Sequence, residues 1–150
     1  MVAPVLDQRL SSFIQTMHEQ GILDHNFDHV KNLQNEESPR FVVEVISMFL
    51  GDADVGMADI TKYLSEPDVD YTRVINVAHQ LKGGSGSLGG LRMANACREL
   101  RLATDDRDKQ RCLETFDRLK QEYRILRENL TLIAQMETTI LCNEARARQG

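Results

Sequence analysis

The sequence predicts an all-α protein, an antiparallel up-down four-helix bundle preceded by two shorter helices. Prolines occur only at positions 4, 39 and 67 of the 150 residues, so long stretches are free of helix breakers. Apolar residues recur at intervals of three and four, whereas alternation with a period of two is rare. The last stretch follows the strict 3,4,3,4,3 spacing of a helix-packing seam, formed by Phe116, Leu119, Tyr123, Leu126, Leu130 and Ile133.

Two short amphipathic helices are predicted over about residues 5–35. The first carries Leu6 and Met17 on its apolar face and ends at Gly21. The second runs from about 24 to 34 and carries Phe27.

The four bundle helices are predicted over about residues 39–140. Pro39, after Ser38, is placed at the first position of a helix that ends near Pro67. Asp70 can cap the next helix, which ends at Gly89. A helix over 91–104 and the long last helix complete one domain that covers residues 1–150.

Composition narrows the range of partners and compartments. A formal net charge of −5 disfavours nucleic-acid binding. The sequence has no apolar run of about 18 residues and no secretory signal, so no membrane partner is expected. The three cysteines include no Cys-x-x-Cys pair and indicate free thiols in a reducing compartment. A cytoplasmic protein is therefore expected.

Residues 79–90 begin with a histidine and contain five glycines, at positions 83, 84, 86, 89 and 90. On a helical wheel, the neighbouring apolar residues fall within one arc of roughly 100°. His79 projects roughly 140° from the centre of that arc and is therefore predicted to face solvent. The residues predicted on the same side are Ile75, Lys82, Gly83 and Gly86.

This arrangement suits phosphoryl transfer. A glycine inside a helix costs about 1 kcal/mol relative to alanine, so bare backbone beside His79 makes sense if a partner must close on the imidazole. A neutral imidazole offers a ring nitrogen as a nucleophile, and Lys82 at i+3 can supply positive charge to a phosphoryl group. The sequence shows no P-loop and no acidic metal cluster near His79. The chain is therefore expected to carry a phosphoryl group without a cofactor or metal of its own.

The stretch His79-Gln80-Leu81-Lys82-Gly83, with the small residues that follow it, resembles the signature of histidine-containing phosphotransfer proteins. The plant type, which acts in cytokinin-responsive multistep phosphorelays, is the most similar. Inactive members of the family lack the histidine, which this chain keeps. The chain departs from the family at positions where serine or alanine is usual, namely Gly84, Gly86 and Gly90, and also at Val77-Ala78. Further similar stretches cover most of the chain: 21–24 with Phe27, 33–36, 39–45, 95–97 and 120–123.

The resemblance implies an all-α fold with a C-terminal four-helix bundle and a phosphorylated His79. The phosphoryl group would come from a receiver-domain aspartate of a hybrid sensor histidine kinase and pass to the receiver of a response regulator. The partner receiver would supply Mg²⁺. Lys82 would act as the phosphate-side cation and Gly83 as the clearance position, with receiver contacts at Gln80, Gly86 and Ile75. A monomer is the simpler expectation, and the sequence leaves open whether the cytoplasmic protein also enters the nucleus.

Other interpretations remain open on the sequence alone. A non-phosphorylated helical adaptor could bind receivers and compete with active carriers. By family analogy, Leu23, Phe27 and Leu33 on the N-terminal helices could form a receiver-docking patch rather than core. The pattern Gly84-x-Gly86-x-x-Gly89 matches a dinucleotide-binding motif but lacks the βαβ unit that the motif requires. His25 and His29 have i,i+4 spacing for zinc but no evident third ligand.

Overall fold

The computed structural model describes residues 2–149, with side chains from residue 5 onward. Helices account for all the regular secondary structure in this range, which confirms the all-α prediction. None of these helices combines the length and apolar character needed to cross a membrane. The helices are α1 (Val2–Glu19), α2 (His25–Asn32), α3 (Phe41–Ser65), α4 (Tyr71–Ser87), α5 (Leu91–Asp105) and α6 (Lys109–Gln149).

Helices α3 to α6 form the predicted bundle. Each packs against its neighbour in the chain, and α6 returns to pack against α3, so the four helices close a ring around the core. Three to five residues join consecutive helices, and such short connections between packed helices make them antiparallel. Every residue of the predicted α6 seam is buried, from Phe116 to Ile133. Helix α1 packs on α6, and α2 packs on α3 and α4.

The ends of α4 follow from local chemistry. Asp70 caps the start, because its carboxylate accepts a hydrogen bond from the backbone N–H of Arg73 at 3.3 Å. At the other end, the N–H of Gly90 donates to the carbonyl of Ser85 at 2.7 Å and that of Gly89 to Gly86 at 3.0 Å. This is a Schellman motif, with Gly89 at φ +83° in the left-handed position. Both predicted boundaries of α4 are therefore confirmed.

The predicted start of α3 is wrong by two residues. The helix begins at Phe41, with Arg40 as its N-cap, rather than at Pro39. The Asn35 side chain accepts hydrogen bonds from the backbone N–H groups of Glu37 and Ser38, each at 2.9 Å. This Asx turn uses the N–H of Ser38, and the chain completes a further turn before the helix starts.

The docking patch predicted on the N-terminal helices is wrong at Leu23 and Phe27, since both side chains are buried in the core, whereas Leu33 is exposed. The N–H of Asp24 donates to the carbonyl of Gly89 at 2.8 Å. A Cβ added at Gly89 would lie 2.9 Å from the backbone nitrogen of Phe27. This contact between backbones draws the start of α2 against the end of α4, which covers the apolar face of α2.

Polar ties fasten α6 to the rest of the molecule. The carboxylate of Glu137 is buried and accepts hydrogen bonds from the ammonium of Lys31 and from the side-chain amide of Gln34. The amide oxygen of the Gln34 side chain accepts a hydrogen bond from the backbone N–H of Val42 at 3.1 Å. One network therefore joins the end of α2, the start of α3 and the C-terminal half of α6.

Candidate functional site

His79 lies on the exposed face of α4, as the helical wheel predicts. The opposite face is buried in the core. There the Ser85 hydroxyl donates to the carbonyl of Leu81 at 2.7 Å, which satisfies the one polar side chain on the buried face. Val77 belongs to the apolar arc of the helical wheel but is only half-buried, where it packs against the core. None of the hydrogen bonds between the described side chains involves His79, so its ring is free to react.

The surface beside His79 is bare backbone. Gly83 is exposed, Gly86 is half-buried, and a Cβ added at either would meet nothing within 4 Å in the described part of the chain. A side chain at these positions would therefore project outward, into the space that a partner must enter. Ile75 lies half-buried on the same side, one turn before His79. Gln80 directly follows His79 in the chain and is exposed.

Lys82 is half-buried one turn after His79. It takes part in none of the ion pairs formed by the described residues. Burial raises the pKa of the neighbouring Cys97 thiol to about 12, and the positive charge of Lys82 opposes that rise. Cys97 therefore stays a neutral thiol, and the Lys82 charge is left available for an incoming anion.

Gly84 and Gly90 serve a different purpose from Gly83 and Gly86. A Cβ added at Gly84 would lie 3.1 Å from the ring of Phe49, and one at Gly90 would lie 2.6 Å from a methyl carbon of Leu126. These two glycines allow close approach of neighbouring helices. The sequence pattern alone does not separate them from the glycines around His79, because the difference depends on which helices pack against α4.

An apolar groove of about 670 Å³ adjoins the histidine, between α3 and α4. Sequence reasoning missed it, although one signal was present. The residues Met48, Asp52, Val55 and Asp59 follow a 4,3,4 spacing along one face of α3, and Met48 and Val55 are 69% and 62% exposed. Gln80 lines the groove and directly follows His79 in the chain, whereas the His79 side chain itself is not part of the lining. The other lining residues are Val30, Val45, Phe49, Ala53, Gly56, Val77, Leu81, Gly84, Ser87 and Leu88.

Metal ligation has no support in the described residues, among which no three His, Cys, Asp or Glu side chains come together as a metal site. His25 and His29 are both exposed on α2. The site thus consists of a free imidazole, an unpaired ammonium, bare helix backbone and an adjoining groove. It can present a nucleophile to a partner that brings the remaining chemistry.

Comparison with known proteins agrees with this geometry. A family model described as Hpt domain matches residues 44–129, more than half of the chain. The chain is 33% identical over 140 residues to histidine-containing phosphotransfer protein 1 of Oryza sativa subsp. japonica, covering 93% of this chain and 95% of the rice protein. The crystal structure of a histidine-containing phosphotransfer protein from maize superposes with a TM-score of 0.85 at 29% identity, covering 90% of this chain and 99% of the maize chain.

These matches define a helical phosphotransfer domain of two-component phosphorelays. The chain belongs to the plant-type histidine-containing phosphotransfer proteins and functions as a phosphorelay carrier. Its relatives also include pseudo histidine-containing phosphotransfer protein 2 of Oryza sativa subsp. japonica, which is 31% identical over 122 residues and matches 81% of each chain.

Proposed function

We propose that His79 accepts a phosphoryl group from a receiver-domain aspartate of a hybrid sensor histidine kinase and passes it to the receiver of a response regulator. The observation that carries this proposal is the exposed imidazole of His79 beside the bare backbone of Gly83 and Gly86. A rigid helix holds the ring away from the protein, where a second protein can reach it.

The reaction is a displacement at phosphorus. A ring nitrogen of neutral His79 uses its lone pair to form an N–P bond, while the P–O bond to the aspartyl carboxylate breaks and the carboxylate leaves with the electron pair. The attacking nitrogen carries no proton, so the step requires no base from this chain. The ammonium of Lys82 lies on the same side of α4 and offsets charge on the phosphoryl oxygens. Transfer to the second receiver is the same step in reverse.

The partner completes the site in this proposal. Mg²⁺ held by the receiver's own acidic residues compensates charge on the phosphoryl group, and this chain contributes no metal ligand. The receiver rests on the α3–α4 groove, where Gln80 connects the docking surface to His79. A monomer that acts in cytokinin-type signalling in the cytoplasm and nucleus is part of the proposal and stays a prediction.

Replacing His79 tests the proposal. A receiver domain phosphorylated with radiolabelled acetyl phosphate should transfer acid-labile, base-stable label to the unmodified protein and none to His79→Gln. His29→Gln provides the control, because His29 is also exposed on a helix but lies on α2. Label retained by His79→Gln at the wild-type level would show that another residue accepts the phosphoryl group.

A second function, that of a non-phosphorylated adaptor which competes for receivers, is favoured by the similarity to pseudo histidine-containing phosphotransfer proteins. The two functions differ in whether the unmodified protein accepts label from a receiver. An adaptor would bind the receiver with the same affinity before and after the His79→Gln change, and the unmodified protein would remain unlabelled.

A further inference from the structure

The α3–α4 groove is bounded by the faces of two helices, between which a third helix could pack. One wall is the α3 stripe of Met48, Asp52, Val55 and Asp59, whose 4,3,4 spacing is that of a helix–helix contact surface. The other wall is an α4 stripe with 3,4,3 spacing, formed by Val77, Gln80, Gly84 and Ser87. Two further small residues of α3, Ala53 and Gly56, also line the groove.

Two carboxylates give the groove a charge. Asp52 and Asp59 are seven residues apart on α3, about 10 Å along the helix axis. Neither takes part in an ion pair with another described side chain, and no lysine or arginine lines the groove. Val55 lies between them and is 62% exposed. The wall therefore offers an apolar contact flanked by two unpaired negative charges.

Helix α5 packs against α4 and carries an exposed arginine that forms no ion pair among the described residues. Helix α5 directs Arg92 and Glu99 toward α6, where they form ion pairs with Glu122 and Arg118. The influence of Lys82 on Cys97 places the Cys97 side of α5 next to α4. Arg101 lies one turn after Cys97 on that side, is exposed, and forms no ion pair with the described residues.

The α3 wall of the groove is thus acidic. Resting on the proposed function, we infer that Asp52 and Asp59 select the partner. The occupant of the groove is an amphipathic helix of a receiver domain, with apolar side chains over Met48 and Val55 and basic side chains two turns apart opposite the two carboxylates. A second copy of this chain is a poor occupant, because self-docking through this face would set Asp52 and Asp59 against a chain of net charge −5.

Removing the two charges tests the selection. The probes are isolated receiver domains of hybrid histidine kinases, phosphorylated with acetyl phosphate and chosen to differ in the number of basic residues on their surface helices. For the most basic receivers, Asp52→Asn with Asp59→Asn should raise the KM about fivefold at low salt, since each exposed pair contributes modestly. The rate at saturating receiver should stay unchanged, and the KM should lose most of its dependence on salt.

A matched variant separates local from overall charge. Asp68→Asn with Glu128→Gln removes the same two charges from exposed positions outside the groove. If this variant raises the KM as much as the groove variant does, net charge rather than Asp52 and Asp59 governs docking, and the inference is overturned. An unchanged KM in the groove variant overturns it as well.

Charge reversal at the same two positions tests whether the preference for receivers can be inverted. Asp52→Lys with Asp59→Lys should shift the preference toward receivers with acidic helices, and circular dichroism should show an unchanged helix content. Preference retained for basic receivers would contradict the inference. Failure of the unmodified protein to accept label from any receiver would refute the proposed function, and the selection along with it, whereas labelling with an unaltered preference refutes the selection alone.

Discussion

Glycines in α4 and just after its end perform opposite tasks within eight residues of one another. Gly83 and Gly86 leave space on the outside, where a partner approaches His79. Gly84 and Gly90 leave space on the inside, where Phe49 and Leu126 fill the position a Cβ would take. The departure of this chain from the family at Gly84 and Gly90 is therefore a matter of helix packing, whereas that at Gly86 concerns the surface beside His79.

Gly83→Leu should reduce phosphotransfer to His79 by more than about tenfold, because the new side chain would occupy the space of the incoming receiver. Helix content should be unchanged, since the position is open and leucine is a better helix former than glycine. Gly51→Leu is the control, because Gly51 is an equally open helical glycine that lies on α3 and does not line the groove. Transfer at equal rates by the two variants would contradict the clearance role of Gly83.

Helix α4 shows how one element can meet two demands. Its core face and its Schellman end fix it against α3, α5 and α2, while its outer face carries the reactive imidazole. The tight packing around its C-terminal end holds the helix in place although three glycines between 83 and 86 lower its intrinsic propensity. Stability of α4 therefore comes from packing rather than from local preference.

Gly90→Ala should lower the free energy of unfolding by about 1–3 kcal/mol, because the added methyl group would overlap the Leu126 side chain. Gly86→Ala should raise it by up to about 1 kcal/mol, since the methyl group meets open space and alanine favours the helix. Urea denaturation of the two variants and the unmodified protein provides the measurement. Equal effects at the two positions would show that Gly90 is not packed as described.

Helices with strong apolar periodicity are predictable from the sequence, whereas the turns before them and the way they pack against one another are not. The spacing in α6 and the wheel of α4 predicted the buried seam and the outward direction of His79. The start of α3 depends on the turn at Asn35, which competes with helix initiation. The burial of Phe27 and the existence of the groove depend on how α2, α3 and α4 meet, and no single stretch of sequence records that.

At the scale of the whole molecule, α6 is the element to which both parts of the chain are fastened. Its N-terminal half completes the bundle, and its C-terminal half carries α1 and the buried Glu137 network. Across the bundle, the carboxylate of Asp54 on α3 accepts hydrogen bonds from Arg127, the closer at 2.9 Å, and from the hydroxyl of Tyr123. These ties hold the N-terminal helices and the bundle together as one body.

The tie at Asp54 predicts a pH dependence. Hydrogen bonds from Arg127 and Tyr123 hold the pKa of Asp54 below its ordinary value. Its stabilising contribution is therefore complete above the unfolded-state pKa of about 3.9 and is lost as the pH falls through the lower folded-state pKa. Asp54→Asn should cost about 1 kcal/mol or less at pH 7, because solvent screens this partly exposed pair, and the difference should vanish in strong acid.

Chemical denaturation of both proteins between about pH 2 and about pH 7 measures that difference, because carboxylates titrate within this range. Asp68→Asn serves as the control, because Asp68 is exposed and outside every ion pair among the described residues, so its difference should stay nearly flat. A difference for Asp54→Asn that persists below the lowered pKa would contradict the tie.

The position of His79 beside the groove also has a consequence for traffic through the relay. In the proposed function, a receiver that reaches this imidazole covers the same stretch of α4, whichever direction the phosphoryl group travels. Donor and acceptor must therefore take turns, and the loaded carrier has to release one before it meets the other. Throughput then depends on how fast complexes come apart, and an abundant unphosphorylated receiver slows the relay simply by occupying carriers.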